Sequence, residues 1–483
     1  MILRKILALG ALLLTISMTS AAQQQPRYQG LLWEITGNGL KKPSYLFGTM
    51  HVSSKLAFHL SDSFYHCIRR SDMVALETNP EQLQEDFARS RMFFLGSMAS
   101  RRPPQRKTLP DQAFTVSSYA DALEAGLAYR PEMINHLLYR SYAMQEDFEE
   151  NTFLDMYIYQ VGSKLGKKAT GVENFDESEK LMFEAYRDAS LDRQNRRPGR
   201  SVSRNTSGEM LNDAYRRGDL DLLDSLSNRQ SESPAFLEKF LYKRNENMAE
   251  AIDSIIRNTS LFAGVGAAHL PGDRGVINML RKMGYTLRPV QYANRDSKQK
   301  DELDKLKAPV QFREYFPADR NFYVEVPGNL FNFSRLLTVN QLANGAYYLV
   351  SRIKTNASSL GQTTSDVMAR IDSSLYEFVP GKITSLKKIT LSQHPGFAIE
   401  SRTRRGDLQR YRIYVTPFEI LIFKISGNGD YAAGAEGDRF LSSIRLPEVE
   451  KNNAPSLYRS PNGAFTVETA ARPYFDGKSP VGR

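Results

Sequence analysis

Two histidines stand in the same short pattern, although the 483-residue chain has only six histidines. Gly48-Thr49-Met50-His51 follows one apolar stretch and Gly266-Ala267-Ala268-His269 follows another. In an open α/β sheet, ligands bind beyond the carboxyl ends of the strands, and a glycine there lets the backbone turn sharply and approach a ligand closely. A single histidine is usually a structural residue, but the shared context favours a functional pair. We therefore expect His51 and His269 to point into one crevice.

Two glutamates occupy matching positions at the ends of predicted strands. Glu77 follows Met73–Leu76 and Glu173 follows 168–172. A carboxylate just past a buried strand is costly unless a cation pairs with it. Two imidazoles, a carboxylate and a water form a common catalytic metal site, so one glutamate could bind metal while the other acts as general base. An ion pair with Arg244 or a helix N-cap is the alternative for either glutamate.

The third candidate element is the pair Arg244-Asn245, which lies beside a helical apolar stripe. A guanidinium and an amide placed together can hold a carbonyl or carboxylate and stabilise an oxyanion. Taken alone, such a polar pair is more typical of a solvated helix face. The stripe consists of Phe240, Leu241, Met248 and Ile252.

The elements that must position these residues alternate between strands and helices. This order predicts an α/β domain, a sheet with helices packed on it, over residues 28–293. Two strands joined by a Gly/Asn turn predict a hairpin at its start. Helices are expected over most of 81–168, and the polar stretch 193–207 is expected to be a loop. The predicted strands are Leu31–Ile35, Ser44–Gly48, 73–77, 168–173, 260–266 and 285–290.

A polar segment at 294–309, with one short helix, is interpreted as a linker to a smaller α+β domain at 310–448. Its predicted helices and strands are 364–375 and 435–443, and 322–326, 346–354, 386–391, 396–402, 410–415 and 419–425. Residues 449–483 contain a partial repeat, because Phe465-Thr466-Val467-Glu468 matches Phe322-Tyr323-Val324-Glu325 at an offset of 143 positions. These last residues are expected to be either a tail or the start of a second, truncated copy of the domain.

The first 22 residues have the pattern of an export signal. A basic pair precedes the apolar run 6–18 and a small-residue site, which predicts cleavage after Ala22. The run is too short to span a bilayer comfortably, although an uncleaved anchor is the alternative. We therefore expect a periplasmic or extracellular protein with no membrane span after cleavage. Cys67 is the single cysteine, so no disulfide can form within the chain.

The net charge of +10 is spread along the chain rather than concentrated in one element. Such a charge could suit an acidic partner. No helix or strand carries a recognisable nucleic-acid-reading motif. We therefore expect no nucleic-acid partner.

Taken in order, the motifs of the first domain resemble those of the TraB/GumN family, which includes the Tiki metal-dependent proteases. The resemblance implies a fold akin to the erythromycin-esterase and ChaN-like group. It also implies that His51, His269, Glu77, Arg244 and Asn245 lie at the family's characteristic positions. The motifs are Trp33-Glu34-Ile35, Gly48–His51, Val74–Glu77, Leu154-Asp155, Gly171–Glu173, Arg216–Asp219, Arg244-Asn245 with Met248, Gly266–Leu270, Gly275 and Gly284-Tyr285.

The second domain resembles the PsbP/DcrB-type α+β fold. This resemblance rests on turn and packing features, which supply neither a nucleophile nor a metal site. The domain is therefore expected to bind or to act as a spacer. The features are Val326-Pro327-Gly328, Tyr347–Val350, Pro380–Lys382, Pro395-Gly396 and Arg439–Ile444.

The sequence thus predicts a metal-dependent hydrolase that acts on peptide bonds of a peptide or protein substrate. His51, His269 and Glu77 are the expected ligands of a divalent transition metal, zinc, manganese or cobalt, which would activate a water. Glu77, Glu173, Arg244 and Asn245 are the expected catalytic residues. Two alternatives stay open: a non-catalytic binder of a peptide, signalling molecule or haem-like ligand in the same crevice, and a metal-free hydrolase.

Overall fold

The computed structural model describes residues 28–50, 56–89, 120–128, 152–195, 204–230, 233–291, 298–333, 336–355, 362–417, 419–448, 456–460 and 463–469. These residues form two compact units. The first unit holds the described residues up to Leu83 and from 152 to Leu306. The second holds those between Gln84 and 128 and from Lys307 onward. The expected signal, residues 1–22, lies outside the described residues.

The strands and helices are numbered here in chain order. The strands are β1 (Leu32–Gly37), β2 (Ser44–Thr49), β3 (Met73–Leu76), β4 (Lys168–Gly171), β5 (Leu261–Gly266), β6 (Tyr285–Pro289), β7 (Arg313–Tyr315), β8 (Val324–Val326), β9 (Phe331–Phe333), β10 (Leu336–Gln341), β11 (Ala346–Lys354), β12 (Lys382–Leu391), β13 (His394–Arg402), β14 (Leu408–Val415), β15 (Glu419–Gly427), β16 (Ser456–Arg459) and β17 (Thr466–Thr469). The helices are α1 (Asp62–Arg70), α2 (Leu83–Arg89), α3 (Ala120–Ala128), α4 (Leu154–Lys164), α5 (Phe175–Asn195), α6 (Arg204–Arg217), α7 (Leu220–Gln230), α8 (Pro234–Leu237), α9 (Lys243–Ile256), α10 (Val276–Lys282), α11 (Lys298–Lys305), α12 (Thr364–Phe378) and α13 (Ala435–Ser442). A π-helical turn, Glu238–Tyr242, joins α8 to α9.

The first unit contains a six-stranded sheet in the order β4-β3-β5-β2-β1-β6. The predicted hairpin is confirmed, since β1 and β2 pair antiparallel with Trp33 opposite Leu46. The strands that precede the two histidine motifs are parallel neighbours, as expected, and Thr49 lies opposite Gly266. Strand β3 runs parallel to β5 on its other side. The carboxyl ends of β2, β5 and β3 therefore meet at one edge of the sheet.

The apolar strands at the centre of this sheet are buried on both faces. Every residue of β2 and β5 is buried. The ring of Phe64 from α1 packs edge-on against Phe47 and Phe262, at centroid distances of 5.0 and 5.2 Å. Helix α4 is buried from Leu154 to Gly162, so it forms part of the core.

Two polar segments of the first unit contain helix in the structure. Both ends of the expected loop at 193–207 are helical, because α5 continues to Asn195 and α6 starts at Arg204; residues 196–203 lie outside the described residues. Exposed helices tolerate polar residues, so composition alone overestimated the loop. The expected linker contains α11, in which Leu303 is fully buried and Gln299 donates a hydrogen bond to Asp62 at 2.6 Å. This segment is therefore attached to the first unit.

The second unit contains a seven-stranded antiparallel sheet in the order β12-β13-β14-β15-β11-β10-β9. The predicted strands from 346 onward and both predicted helices are present, whereas β9 and β10 were not anticipated. One face packs against α12 through Val367, Ile371 and Leu375. The other face packs against β8 and α13, with Phe440 of α13 beside Phe423. The unit is thus an α+β fold, as expected.

Helix α3 comes from within the sequence range of the predicted first domain but packs in the core of the second unit. Leu123 and Leu127 join the cluster formed by α12 and the sheet. A side chain at Gly126 would meet Ile422 at about 3.0 Å, so glycine lets the helix approach closely. The buried Lys424 ammonium donates to the carbonyl of Leu127 at 3.2 Å, which caps the end of the helix.

The partial repeat noted in the sequence also appears in the strand pairing. In the first copy, β7 pairs with β8, and Arg313 lies opposite Val326. In the second, β16 pairs with β17, and Ser456 lies opposite Thr469. The pairings keep the same register at the 143-residue offset. Burial differs sharply, because Phe322 is 2% exposed and its equivalent Phe465 is 57% exposed.

No helix in the described part of the chain combines the length and apolar character needed to cross a bilayer.

Candidate functional site

Glu77 lies directly after β3, at the edge where the three central strands end. Its Oε1 atom accepts a hydrogen bond from the backbone N–H of Gly266 at 2.9 Å. Its Oε2 atom accepts one from Nη2 of Arg244 at 2.7 Å. The side chain is 14% exposed. The end of β5 and an arginine from α9 thus hold this carboxylate in a fixed orientation.

Arg244 joins the two predicted glutamates. Besides Glu77, its guanidinium bonds both oxygens of Glu173, from Nε at 2.8 Å and from Nη2 at 2.5 Å. The Arg244 and Glu173 side chains are only 3% and 2% exposed. Burial alone would lower the pKa of Arg244, but attraction by the two carboxylates raises it above its usual value. Arg244 and Asn245 therefore do not lie on a solvated helix face.

Asn245 orients His269. Its Nδ2 atom donates to the carbonyl of Arg274 at 2.8 Å, which turns its Oδ1 atom toward the imidazole. That oxygen lies 2.6 Å from Nδ1 of His269. Because an amide oxygen can only accept, Nδ1 is the protonated nitrogen, and a neutral ring then carries its lone pair on Nε2. Both the Nδ2 and the Oδ1 atoms of Asn245 are thus hydrogen-bonded within the protein rather than to a bound substrate.

The other ring nitrogen of His269, Nε2, faces a carboxylate. Nε2 lies 3.9 Å from Oε1 of Glu77, and both side chains are largely buried, at 7% and 14% exposure. Nitrogen and oxygen ligands of a divalent transition ion lie about 2.0–2.2 Å from it, so a donor pair at this spacing is close to what one ion requires. The chemistry of the two donors therefore fits such an ion.

The remaining predicted ligand, His51, lies outside the described residues. The expected short distance between its ring and that of His269 therefore stays a prediction. Among the residues that the structure describes, no group of three or more His, Cys, Asp or Glu side chains could hold a metal. Met50 is the last described residue before His51, and Thr49 ends β2 beside Gly266. The described part of this segment thus ends with Met50, directly after β2.

The glycines of the two motifs have different roles. Neither makes a sharp left-handed turn, since Gly48 is a strand residue and Gly266 has a φ of −53°. A side chain at Gly48 would lie 3.3 Å from the Cα atom of Ala267, so this glycine allows the turn before His269 to pack against β2. Gly266 instead supplies the N–H that holds Glu77.

Sequence reasoning missed two polar contacts beneath the site. Thr49 donates to the buried carboxylate of Asp155 at 2.5 Å, and Tyr215 donates to the carbonyl of Gly48 at 3.0 Å. Both fix the end of β2 just before His51. Asp155 could have been noticed in the sequence, because it is an acidic residue in the otherwise apolar first turn of a helix. Such a residue is rarely buried unless it is paired.

The pattern that describes the TraB/PrgY/gumN family matches residues 31–289, more than half of the chain. The chain belongs to this family. The match runs from β1 to β6, so it covers the complete six-stranded sheet and each of the site residues. The resemblance inferred from the motifs is thereby confirmed.

Among curated proteins, the chain is similar to two vertebrate proteins named metalloprotease TIKI2. It is 25% identical to the Xenopus tropicalis protein over 322 residues, which is 54% of this chain and 60% of that protein. It is also 25% identical to the Danio rerio protein over 323 residues, 54% of this chain and 61% of that one. The chain thus spans about three-fifths of the length of these relatives.

Two solved structures resemble parts of the chain. The solution structure of cyanobacterial PsbP from Synechocystis is 13% identical, covers 29% of this chain and 94% of that chain, and has a TM-score of 0.18. A crystal structure from Bacteroides thetaiotaomicron is 10% identical, covers 31% of this chain and 54% of that chain, and has a TM-score of 0.21.

Proposed function

We propose that the first unit is a metal-dependent hydrolase that cleaves peptide bonds. The observation that carries this proposal is the facing pair of His269 and Glu77, in which Asn245 sets the imidazole tautomer so that its lone pair points to the carboxylate. Membership of the family and the similarity to two proteins named metalloproteases support the same chemistry.

His269, Glu77 and His51 are the residues that would hold the metal. Imidazole nitrogen and carboxylate oxygen suit ions such as zinc, manganese or cobalt. When bound, such an ion lowers the pKa of a water and polarises a scissile carbonyl. Asn245 contributes from outside the metal's ligand shell, because a fixed Nδ1–H bond keeps the ligating nitrogen deprotonated and aimed.

Arg244 and Glu173 have supporting roles in this proposal. Glu173 holds Arg244 through a bidentate pair, the strongest geometry for these two groups. Arg244 in turn orients Glu77, which faces the reacting group either as ligand or as general base. The bonds to Glu77, Glu173 and Phe240 use four of the five guanidinium N–H groups. Among the described residues this leaves one N–H of Nη1 for a substrate carbonyl.

Metal content and peptide hydrolysis of the full-length protein test the proposal. We expect a transition metal bound in about equimolar amount and slow cleavage of an internally quenched peptide library, both lost in His269→Ala. The exposed His66 offers a matched control, and His66→Ala is expected to retain both. Glu77→Gln separates the two roles of Glu77: metal loss identifies a ligand, and retained metal without cleavage identifies a base. Metal-free protein after reconstitution would contradict the proposal.

A metal-free hydrolase is the second candidate, and the Arg244 contacts favour it. One guanidinium already binds both oxygens of Glu173 and one oxygen of Glu77, so the carboxylates are partly neutralised without an ion. Histidine and glutamate would then act on water alone. Cleavage that persists after exhaustive chelation, and that His269→Ala abolishes, would favour this mechanism.

The finer assignments of fold and location are also proposals. We propose that the first unit has an erythromycin-esterase/ChaN-like arrangement and that the second is a PsbP/DcrB-like module that binds or acts as a spacer. We also propose export and cleavage after Ala22, with the mature protein periplasmic or extracellular. Mass spectrometry of the exported protein would contradict cleavage if it found Met1 intact.

A further inference from the structure

Three aromatic rings form a cluster beside Arg244 that the proposed reaction does not use. Phe236 and Phe240 stack with a centroid distance of 4.6 Å and an angle of 18° between their planes. Tyr186 packs edge-on against both, at 5.5 and 6.1 Å. The three rings are called the aromatic platform below. Tyr186 is 45% exposed and the two phenylalanines are half-buried, so the rings face solvent while packing on one another.

The platform lies in one line with Arg244 along the helix. Phe236, Phe240 and Arg244 follow one another at intervals of four residues, a spacing that places side chains on the same helical face. The π-helical turn falls within this line, and the Lys243 N–H bonds the carbonyl of Glu238 five residues earlier. Single π-helical turns occur frequently at functional sites.

Ion pairs on both sides hold the platform in place. Lys239 in the π-helical turn binds Glu184 and Asp188 of α5, at 3.1 and 2.9 Å. On the other side, Glu238 accepts two hydrogen bonds from Arg274, at 2.5 and 2.8 Å. Arg274 is also the residue whose carbonyl anchors Asn245. The same residue thus contacts both the platform's π-helical turn and the residue that bonds His269.

Arg244 connects the platform to the charged site. Its Nη1 atom donates to the carbonyl of Phe240 at 3.4 Å, and its guanidinium carbon lies 5.9 Å from the centre of the Phe240 ring. The same guanidinium bonds Glu77 and Glu173. The apolar rings thus begin one side chain away from the proposed reacting group.

We propose that the aromatic platform binds an aromatic or large aliphatic side chain of the peptide substrate. The assignment rests on the proposed function and adds a substrate class to it. Neighbouring residues of an extended peptide are about 3.3 Å apart, so the recognised side chain lies within about three residues of the scissile bond. We assign an extended peptide as the occupant because the Phe240 ring adjoins Arg244, which bonds Glu77 of the proposed site. Positively and negatively charged side chains both border the rings, and such a mixed border suits a peptide backbone better than a lipid surface.

Paired peptides that differ only by Phe or Ala, with the variable position scanned three residues to either side of the cleaved bond, test the proposal. At one position we expect a kcat/KM at least about tenfold higher for the Phe peptide, the discrimination that one apolar contact provides. Tyr186→Ala and Phe236→Ala should bring this ratio close to one. Phe236→Leu, which keeps apolar volume, should give an intermediate ratio and guards against misfolding. The control is Tyr376→Ala, at a 73% exposed tyrosine of the second unit.

The outcomes separate this proposal from the hydrolase assignment. Cleavage with no Phe preference at any position overturns the platform and leaves the hydrolase standing. If no peptide is cleaved, fluorescence anisotropy with the same labelled peptides decides: tighter binding of the Phe peptide that Phe236→Ala removes supports the platform without hydrolysis, and equal binding overturns it. Self-association or vesicle binding that Tyr186→Ala abolishes, without a peptide preference, assigns the rings to a second copy or a membrane and overturns the proposal.

Discussion

The Nδ1 atom of His269 lies 2.6 Å from the Oδ1 atom of Asn245, and that amide is itself held by the carbonyl of Arg274. This relay fixes which ring nitrogen carries the proton. It therefore determines that the nitrogen facing Glu77 is the one able to bind a cation. The relay is confined to the turn after β5 and the first turn of α9.

Removing the Asn245 amide should release the His269 tautomer. We expect Asn245→Leu to reduce metal affinity and activity by about 10- to 100-fold, the range for loss of a residue that orients a ligand. Nitrogen-15 chemical shifts of the imidazole, assigned with His269→Asn, should move from the Nδ1–H form toward a mixture of tautomers. A purely packing role would leave these shifts unchanged.

Cys67 should make stability fall at alkaline pH. Burial, followed by the nearby charge of Glu34, raises the pKa of its thiol from 9.0 to about 12. The unfolded thiol ionises first, so its contribution is complete below pH 9.0 and is lost as pH rises toward about 12. Urea unfolding across this range should show a steeper loss in the wild type than in Cys67→Ala. Equal slopes would show that Cys67 contributes nothing.

Loss of the Arg244 guanidinium should destabilise the first unit strongly. Arg244→Met would leave two buried carboxylates without their shared partner, at a cost of about 3–5 kcal/mol. Combining it with Glu173→Gln should restore part of that stability, because one uncompensated charge is then removed. The exposure of the Cys67 thiol to a disulfide reagent in urea reports this unit. A shift below about 1 kcal/mol for Arg244→Met would contradict the ion-pair assignment.

Helix α3 should be required for the stability of the second unit. Leu127→Ala deletes a fully buried side chain and should cost about 2–5 kcal/mol. Hydrogen exchange of β14 and β15 amides should accelerate while that of β2 and β5 stays constant. Glu124→Ala, at an exposed position of the same helix, is the control. A shortened chain that ends near residue 293 should expose Leu123 and Leu127, because it lacks the sheet they pack on.

The two repeated hairpins should differ in backbone protection. They share a register, but Val324 is fully buried and its equivalent Val467 is 42% exposed. An isolated two-stranded hairpin is marginally stable in water, so amides of β17 should exchange much faster than those of β8. Comparable protection of the two strands would mean that the second hairpin is buried by a partner in solution.

The strand ends that carry the candidate residues could be predicted because apolar segments precede them in the sequence. Patterns of apolar residues place Glu77, Glu173 and the end of β5 at one sheet edge, and parallel pairing brings these ends together. The partners of each side chain were less predictable. An ion pair with Arg244 was one alternative for each glutamate, but the spacing does not show that one guanidinium binds both. Nor does it show that Asn245 bonds His269, because these contacts depend on how α9 packs against the sheet.

Long-range docking was beyond sequence reasoning. Helix α3 lies between elements of the first unit in sequence, yet Leu127 contacts Lys424, 297 positions away. An apolar helical face shows that a helix is buried but not which sheet buries it. The aromatic platform was missed for a similar reason. Phe240 belongs to an apolar stripe in sequence, yet in the π-helical turn it is half-buried while the adjacent Leu241 is buried.

The position of the single tryptophan has a practical consequence. Trp33 is 1% exposed, donates its indole N–H to the carbonyl of Gly30 at 2.8 Å, and lies in β1 of the first unit. Its fluorescence therefore reports one unit of this two-unit protein, with a blue-shifted emission that moves to the red only when that unit opens. The second unit, rich in buried tyrosines such as Tyr348 and Tyr411, is silent in that channel. Excitation at the red edge of the tryptophan band would thus record the unfolding of the first unit alone. Unfolding of the second unit would not change this fluorescence signal.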